Sequence, residues 1–256
     1  MGGLSIYQEI VRLNPDAHYV YAFDNAAFPY GELDDQVLID RVNTFLLPLI
    51  QKHLIDIVVI ACNTASTLVL PSLRQALSIP IVGVVPAIKP AAALSQKHCI
   101  GLLATPATVK RPYIDRLIAQ FAPECDVLKL GSTRLVEMGE AKLRHLPISV
   151  NELSAILLPL LDKVDCLILG CTHFPLLKDE IQSIVGNKIQ VIDSGAAIAC
   201  RVTALLENTK PRFSCVTSNM TYHTAALEDN EQRELNKSFR CFGLGSLIFW
   251  DFPFIR

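Results

Sequence analysis

The sequence predicts an α/β protein of two similar parallel-sheet domains, related by a pseudo-twofold axis, with the functional site between them. Three observations support this. Short apolar runs of strand character alternate with longer stretches of helical period, 51% of the 256 residues are hydrophobic, and one strand-end motif occurs twice. Such alternation is typical of a parallel sheet covered by helices on both faces. A chain of this length and composition can bury a full core.

The predicted elements follow each other regularly along most of the chain. Apolar runs at 19–23, 55–61 and 79–85 are predicted strands, each followed by a helical stretch, at 34–53, 63–77 and 86–96. Further strands are predicted at 98–105, 125–130, 164–170 and 189–193, with helical stretches that end near Phe121 and Lys163. Residues 207–256 break the pattern, and we interpret them as an extension that packs back on the first half.

Charge and composition exclude several classes of partner. The net charge is -2, and the 23 Lys and Arg residues form no basic run, so we expect neither nucleic acid nor membrane as a partner. The N-terminus has no signal-peptide pattern, and no apolar run approaches the ~18 residues of a membrane span. The lack of a charged run favours a small molecule as the partner. Eight scattered cysteines without paired spacing indicate a reduced, cytoplasmic protein.

The repeated motif places one cysteine at the end of each of two strands. DIVVIACNTAS at 56–66 and DCLILGCTHFP at 165–175 share the order Asp, apolar strand, small residue, Cys, then Asn or Thr. We interpret this as two similar halves: residues 1–86 with 195–256, and residues 87–194. Ligands of open α/β sheets bind at the carboxyl ends of the strands, so Cys62 and Cys171 are expected to flank one crevice.

Two thiols on opposite sides of a ligand suit the inversion of an amino-acid α-carbon. That reaction needs a base on one face and an acid on the other. We expect the strand-to-helix turns to lower the pKa of both thiols, because helix N–H groups favour the anion. Polar neighbours for the substrate follow each cysteine, and His173 lies close enough to share protons with Cys171. These neighbours are Asn63, Thr64 and Thr172.

The cysteines also allow other interpretations. The remaining six are expected to be small core residues: Cys99, Cys125, Cys166, Cys200, Cys215 and Cys241. Cys171 and His173 could begin a zinc site, but no second Cys/His pair stands at ligand spacing. Nucleophilic Cys-His catalysis, as in an amidase, would leave the duplicated cysteine unexplained.

Four motifs then suggest a family. With ACNTAS at 61–66, GCTHFPLL at 170–177, DNAAFPYGE at 24–32 and IDSG at 192–195, the chain resembles the glutamate racemases of the aspartate/glutamate racemase superfamily over about residues 1–206. The resemblance implies a two-domain α/β isomerase without pyridoxal phosphate, metal or other cofactor. It also implies glutamate as the substrate and D-glutamate for peptidoglycan as the product.

The resemblance also assigns roles to individual residues. It makes Cys62 and Cys171 the two catalytic thiols, with His173 assisting Cys171 and Glu140 supporting His173; Glu137 is the competing position for that carboxylate. The implied substrate contacts are Tyr30, Gly31, Asn63, Thr64, Thr172 and His173. Thr105 and Thr108 resemble the segment that closes on the substrate, and helix capping is their alternative role.

Three alternatives or additions to this function stay open. An aspartate racemase of the same superfamily would differ in the side-chain length it accepts. A non-catalytic homologue would keep the fold as a binding protein, since some glutamate racemases are thought to bind DNA gyrase. A homodimer is also compatible with the resemblance.

The chain departs from the family at its start. Family members begin with a strand that ends in Asp-Ser-Gly-x-Gly-Gly-Leu-Ser, whereas this sequence reads Met1-Gly2-Gly3-Leu4-Ser5. The resemblance expects the missing Asp beside the first cysteine and the missing Ser at the substrate. Two hypotheses account for the difference: a misassigned start codon, which we favour, or a truncation that has lost activity.

Overall fold

The computed structural model describes residues 1–209 and 218–252. The strands are β1 (Val20–Phe23), β2 (Val58–Ile60), β3 (Ile81–Gly83), β4 (Cys99–Ala104), β5 (Asp126–Gly131), β6 (Cys166–Leu169), β7 (Gln190–Ile192), β8 (Met220–His223) and β9 (Leu247–Phe249). The α-helices are α1 (Leu4–Leu13), α2 (Asp35–His53), α3 (Asn63–Ala76), α4 (Ile88–Leu94), α5 (Pro106–Val109), α6 (Pro112–Phe121), α7 (Arg134–Leu143), α8 (Val150–Leu157), α9 (Lys178–Val185), α10 (Gly195–Leu206) and α11 (Asp229–Cys241). Short 3-10 helices cover Asn25–Ala27, Tyr30–Glu32 and Phe174–Leu177.

The middle of the chain forms a four-stranded parallel sheet in the order β5-β4-β6-β7. All four residues of β6 are buried, as expected for an apolar strand covered on both faces. Leu167 and Leu169 pack into the core on one face, and Cys166 and Ile168 into the core on the other. The sheet therefore fixes the position of Cys171, which follows β6 at its carboxyl end.

The first part of the chain, together with β8 and β9 from its end, forms two smaller parallel sheets. β2 pairs with β3, and β1 pairs with β8, which in turn pairs with β9. The β2-β3 pair lies between helices on both faces: Val58 packs toward α2 and α3, while Val82 packs toward α1 and α10. The proposed division into residues 1–86 with 195–256, and 87–194, stays a prediction.

A cavity separates β1 from β2 within the described residues. All residues of both strands line it. Because side chains of a strand alternate between its two faces, a wall that includes consecutive residues must be formed by the strand edges. The backbone edges of β1 and β2 thus face this space instead of each other. The prediction of a strand before Met1 stays a prediction.

Several predicted elements differ from the structure. The stretch expected to be helical up to Phe121 is two helices, because the chain turns at Lys110 and Arg111 and Pro112 starts α6. The region up to Lys163 is likewise divided into α7 and α8. Helix α1 was not predicted, although Leu4, Ile6 and Ile10 form its buried face.

The prediction that six cysteines are core residues is wrong for two of them. Cys200 and Cys241 are exposed, because each lies on the outer face of an amphipathic helix, α10 or α11. Cys166 is buried, and Cys99 and Cys125 are half-buried. Cys215 lies outside the described residues. All seven described cysteines are free thiols.

No helix in the described ranges has both the length and the apolar character needed to cross a membrane.

Helix α11 should be a major source of stability for the first half. Phe239 is fully buried, with its ring stacked on Phe23 at a centroid distance of 5.4 Å. We predict that Phe239→Ala lowers the free energy of unfolding by about 3–5 kcal/mol. Leu158→Ala, at a side chain 65% exposed, is the control and should stay within about 0.5 kcal/mol. Urea unfolding measures both, and equal midpoints would contradict the packing.

Candidate active site

The sequence-predicted residues surround one cavity of about 1250 Å³. It is the cavity that separates β1 from β2, and its walls also include the turns that follow β4 and β6 and residues of α1 and α3. Both predicted cysteines line it, as do the predicted catalytic and substrate-contacting side chains: Tyr30, Gly31, Asn63, Thr64, Thr105, Thr108, Glu140, Thr172 and His173. The chain therefore brings together groups that are up to 143 positions apart, from Tyr30 to His173.

Cys62 is held at the junction of β2 and α3. It is the residue before the first turn of the helix, and its Sγ accepts a hydrogen bond from the backbone N–H of Ala65 at 3.5 Å. The carbonyl of Cys62 also accepts the N–H of Ser66 at 2.9 Å, which continues the helix. The thiol thus points at the amino end of a helix, where N–H groups have no partner within the helix.

Cys171 lies beside His173 on the opposite half. The Sγ atom is 3.8 Å from Nδ1 of His173, and Nε2 of the same ring is 2.7 Å from Glu140 Oε1. The histidine therefore connects a thiol to a buried carboxylate. This part of the site has a complete acid-base chain of three side chains.

Two partners compete for Nε2 of His173. The backbone N–H of Gly2 donates to Nε2 at 3.0 Å, the Glu140 carboxylate is on the same atom, and the amine of Met1 is 3.3 Å from it. In the neutral ring, Nε2 can accept from Gly2 or donate to Glu140, but not both. When it donates to Glu140, Nδ1 is left to accept from Cys171. Burial lowers the pKa of His173 to about 4, although Glu140 acts to raise it. The ring is therefore neutral at pH 7.

Glu140 remains ionised despite its burial. Desolvation raises its pKa, but the amine of Met1 and the ring of His173 more than offset this, and the net pKa lies below its usual range. Arg144 Nη1 donates to the second carboxylate oxygen at 3.0 Å. The competing position, Glu137, is half-exposed and pairs with Arg134. Of the two acidic residues, Glu140 is the one that contacts His173.

Both thiols have raised pKa values, and the expectation of lowered ones is wrong. Burial raises the pKa of Cys62 although the N–H groups of Ala65 and Thr64 act against it. Burial likewise raises the pKa of Cys171 to about 12, with the neighbouring Cys62 adding to the shift. Enclosure removes the water that would solvate a thiolate, and this loss exceeds the gain from a few helix N–H groups.

Hydroxyl groups connect the two halves above Cys62. The Thr64 hydroxyl is 3.1 Å from that of Thr108, which is 2.9 Å from that of Thr105. Thr105 also caps α5 by accepting the N–H of Thr108. Thr105 therefore has the alternative capping role and lines the cavity as well. Asn63 Oδ1 is buried without a hydrogen-bond partner among the described residues. Such an atom is available to a ligand.

Tyr30 and Gly31 lie in the short helix that follows the β1 turn. The Tyr30 hydroxyl donates to Asp24 at 2.9 Å, and burial beside that carboxylate raises the pKa of Tyr30 well above its ordinary value. A Cβ built on Gly31 would be 3.6 Å from Thr105 Oγ1, so this loop approaches the second half closely. On the other side, Thr172 donates its hydroxyl to the carbonyl of Ala61 at 3.1 Å.

Sequence reasoning missed two residues that hold these groups. Asp24 enters the sequence analysis only within the motif DNAAFPYGE, and Arg144 is not among the predicted site residues. Arg144 stands four residues after Glu140, the spacing of an ion pair on one helix face, so its signal was present in the sequence. In the described ranges, no group of three or more His, Cys, Asp or Glu side chains could hold a metal ion.

The raised thiol pKa can be tested by alkylation with iodoacetamide between pH 7 and 10. Peptide mass spectrometry then gives a rate for each cysteine. Since only the thiolate reacts, the rate at Cys171 should still be rising steeply at pH 10, whereas the rate of a free thiol is half-maximal near pH 8.5 and approaches its plateau by about pH 10. Protein unfolded in urea is the control and should follow the free thiol. A profile for Cys171 in the folded protein that coincides with the unfolded control would contradict the burial argument.

Comparisons with known proteins agree on one family. The family model described as Asp/Glu/Hydantoin racemase matches residues 1–202. The chain is 54% identical to the glutamate racemase of Aliivibrio fischeri, over 99% of this chain and 95% of that protein. It is 57% identical to the glutamate racemase of Vibrio cholerae, over 80% of this chain and 77% of that protein.

Solved structures give the same result. The Escherichia coli glutamate racemase in complex with L-glutamate and the activator UDP-MurNAc-Ala superposes with a TM-score of 0.94 at 43% identity, covering 98% of this chain and 95% of that one. The Bacillus anthracis isoform RacE1 gives 0.81 at 26% identity, covering 98% and 94%. The predicted fold class and family are confirmed. The chain belongs to the Asp/Glu/hydantoin racemase family and, within it, to the glutamate racemases.

Proposed function

We propose that this chain interconverts L- and D-glutamate without a cofactor, with Cys62 and Cys171 as the two proton-transferring residues. The observation that carries the proposal is the placement of both thiols around one cavity, one from each half. A racemase needs a proton acceptor and a proton donor on opposite faces of the α-carbon. Peptidoglycan synthesis is the process that would use the D-glutamate.

The proposed reaction has two proton transfers. One cysteine, as thiolate, removes the α-proton, and the C–H electron pair remains on a planar carbanion-like carbon. The opposite thiol then donates its proton to the other face and becomes the thiolate. In the reverse direction the two cysteines exchange roles. No net proton is gained or lost.

The first thiolate has to be generated inside the site. A bound substrate brings an α-ammonium next to thiols whose pKa is raised by burial, and a nearby positive charge favours the thiolate. On the Cys171 side, neutral His173 accepts the thiol proton at Nδ1, and Glu140 stabilises the imidazolium through Nε2. On the Cys62 side, the backbone N–H groups of Ala65 and Thr64 would stabilise the thiolate by hydrogen bonding.

The remaining cavity groups are proposed to hold the substrate. Asn63 offers its unpaired amide oxygen to the ammonium, and Thr64 and Thr172 offer hydroxyls. Tyr30 and Gly31 would bind a carboxylate through their backbone N–H groups, which suits a glutamate side chain extending toward this loop. An aspartate racemase stays the alternative, and turnover of L-aspartate faster than L-glutamate would favour it.

Partners and location stay predictions. The resemblance suggests a homodimer, which light scattering would test, and DNA gyrase binding, which a pull-down with purified gyrase would test. A non-catalytic binding protein is the alternative if no amino acid is racemised. The cytoplasmic location expected from the sequence also stays a prediction.

The N-terminal strand predicted from the family likewise needs its own test. The 256-residue chain and one extended through upstream codons for Asp-Ser-Gly are assayed side by side for loss of circular dichroism from L-glutamate. Activity of the extended form alone would support the misassigned start. An in-frame upstream stop codon would contradict it.

Replacing either catalytic cysteine tests the two-thiol mechanism. We predict that Cys62→Ala and Cys171→Ala each reduce racemisation by about 10³-fold or more from both L- and D-glutamate, since either direction needs both groups. Cys200→Ala removes an exposed thiol on α10 and is the matched control. Circular dichroism follows the reaction in the form of the chain that is active. Full racemisation by either variant would exclude the mechanism.

Solvent isotope incorporation tests the use of two separate bases. In D₂O, early D-glutamate formed from L-glutamate should carry deuterium at the α-carbon, because the donating thiol has exchanged with solvent. The remaining L-glutamate should stay protiated. Chiral chromatography with mass spectrometry measures both pools. Product that retains the original proton would indicate a single base.

A further inference from the structure

The loop that carries Tyr30 and Gly31 is fastened at its start by residues outside the roles assigned above. The loop begins at Asp24, directly after β1, and the Asp24 side chain is only 1% exposed. Its carboxylate contacts side chains from three separate parts of the sequence. These contacts make Asp24 the fixed point of the loop.

Four donors satisfy the Asp24 carboxylate. Oδ2 accepts from the Tyr30 hydroxyl at 2.9 Å and from Arg41 Nε, while Oδ1 accepts from Arg41 Nη2 at 2.7 Å and from the Thr224 hydroxyl at 2.5 Å. A carboxylate has about four acceptor sites, so this one is fully used. The phenol proton of Tyr30 is consequently committed to Asp24.

Thr224 fixes the loop through a second hydrogen bond. Its hydroxyl accepts the backbone N–H of Ala26 at 3.1 Å while donating to Asp24. The adjacent Asn25 side chain accepts the N–H groups of Thr224 and Ala225, both at 2.9 Å. The first residues of the loop are therefore attached to the segment that follows β8.

Arg41 supplies the compensating charge. It lies on α2, its side chain is 8% exposed, and its guanidinium is 5.3 Å from the centre of the Phe252 ring. A buried carboxylate is costly without a paired cation and good hydrogen bonds, and the two-point contact of Arg41 provides both. Asp24 can remain ionised and rigid because Arg41 holds it from the helix.

Building on the proposed function, we infer that Arg41 and Thr224 are positioning residues for substrate binding. They act through Asp24 and Ala26 to fix the loop that presents Tyr30 and Gly31 to the substrate. Neither side chain is among the groups that transfer protons. Their loss should therefore raise KM for glutamate much more than it lowers kcat.

The main test uses Thr224→Val, which keeps the side-chain shape and removes the hydroxyl. We expect KM for L-glutamate to rise about tenfold, the effect of one lost hydrogen bond to a charged group, with kcat within about twofold. Thr224→Ser should restore KM. Thr44→Val is the matched control, because the Thr44 hydroxyl donates to the Asp40 carbonyl within its own helix. An unchanged KM in Thr224→Val overturns the inference.

A double-mutant cycle tests the route through Asp24. Tyr30→Phe removes the phenol bond to the same carboxylate, so its effect on KM should be non-additive with that of Thr224→Val. Arg41→Met leaves a buried charge and can fail to fold, so Arg41→Lys is used beside it. The lysine keeps the charge but lacks the planar, two-point donor geometry of the guanidinium, and KM should again rise about tenfold. Additive effects in the cycle, or wild-type KM in Arg41→Lys, would contradict the inference.

Amide hydrogen exchange separates this inference from the proposed function. Exchange at residues 26–32 should become about tenfold faster in Thr224→Val and remain unchanged in Thr44→Val, whether or not the protein racemises glutamate. An inactive wild-type protein with this exchange pattern would defeat the proposed function but leave the positioning role supported. Unchanged exchange in Thr224→Val would defeat the positioning role even in an active enzyme.

Discussion

Desolvation of two thiols in one cavity is the constraint on which the rest of the site depends. Cys171 is buried and Cys62 is half-buried, and burial raises the pKa of each thiol despite the backbone N–H groups nearby. In the proposed reaction, a desolvated thiol ionises reluctantly, but the resulting thiolate has little water to lose before it removes the proton of a weakly acidic C–H bond. For that reaction, the surrounding polar groups would have to favour ionisation once a substrate is bound.

Different groups surround the two thiols, although the strand-Cys motif is repeated in the two halves. After β2, the chain enters α3 directly, and Cys62 receives helix N–H groups. After β6, a 3-10 helix intervenes, and Cys171 is served by His173, which Glu140 holds. A neutral imidazole with a buried carboxylate behind it can accept and return a proton, whereas N–H groups can only stabilise an anion. The pseudo-symmetry of the strands therefore does not extend to the proton chemistry.

The sequence predicted those features that depend on local pattern or on a repeated motif. Strand-length apolar runs located β1 to β7 but not β8 and β9, and the duplicated strand-Cys motif identified the two thiols that line one cavity. The sign of the thiol pKa shifts could not be predicted, because it depends on how completely distant parts of the chain exclude water from the sulfur atoms. Tertiary packing also determines the separation of β1 from β2 and the exposure of Cys200 and Cys241. Local periodicity carries no information about such packing.

The role of the segment after residue 217 could not be predicted from the sequence. This segment contains no recognisable motif, yet its strand β8 pairs with β1. Two polar side chains of the segment also contact residues that hold site groups in place. Thr224 bonds Asp24 beneath the Tyr30 loop, and Glu231 accepts from Arg144, which in turn bonds Glu140. One segment thus braces the substrate loop in the first half and the histidine-carboxylate pair in the second. Because Thr224 and Glu231 belong to one segment, a shift of residues 220–241 against β1 would disturb both the loop of Tyr30 and the His173–Glu140 pair, and with them the proposed substrate binding and proton transfer.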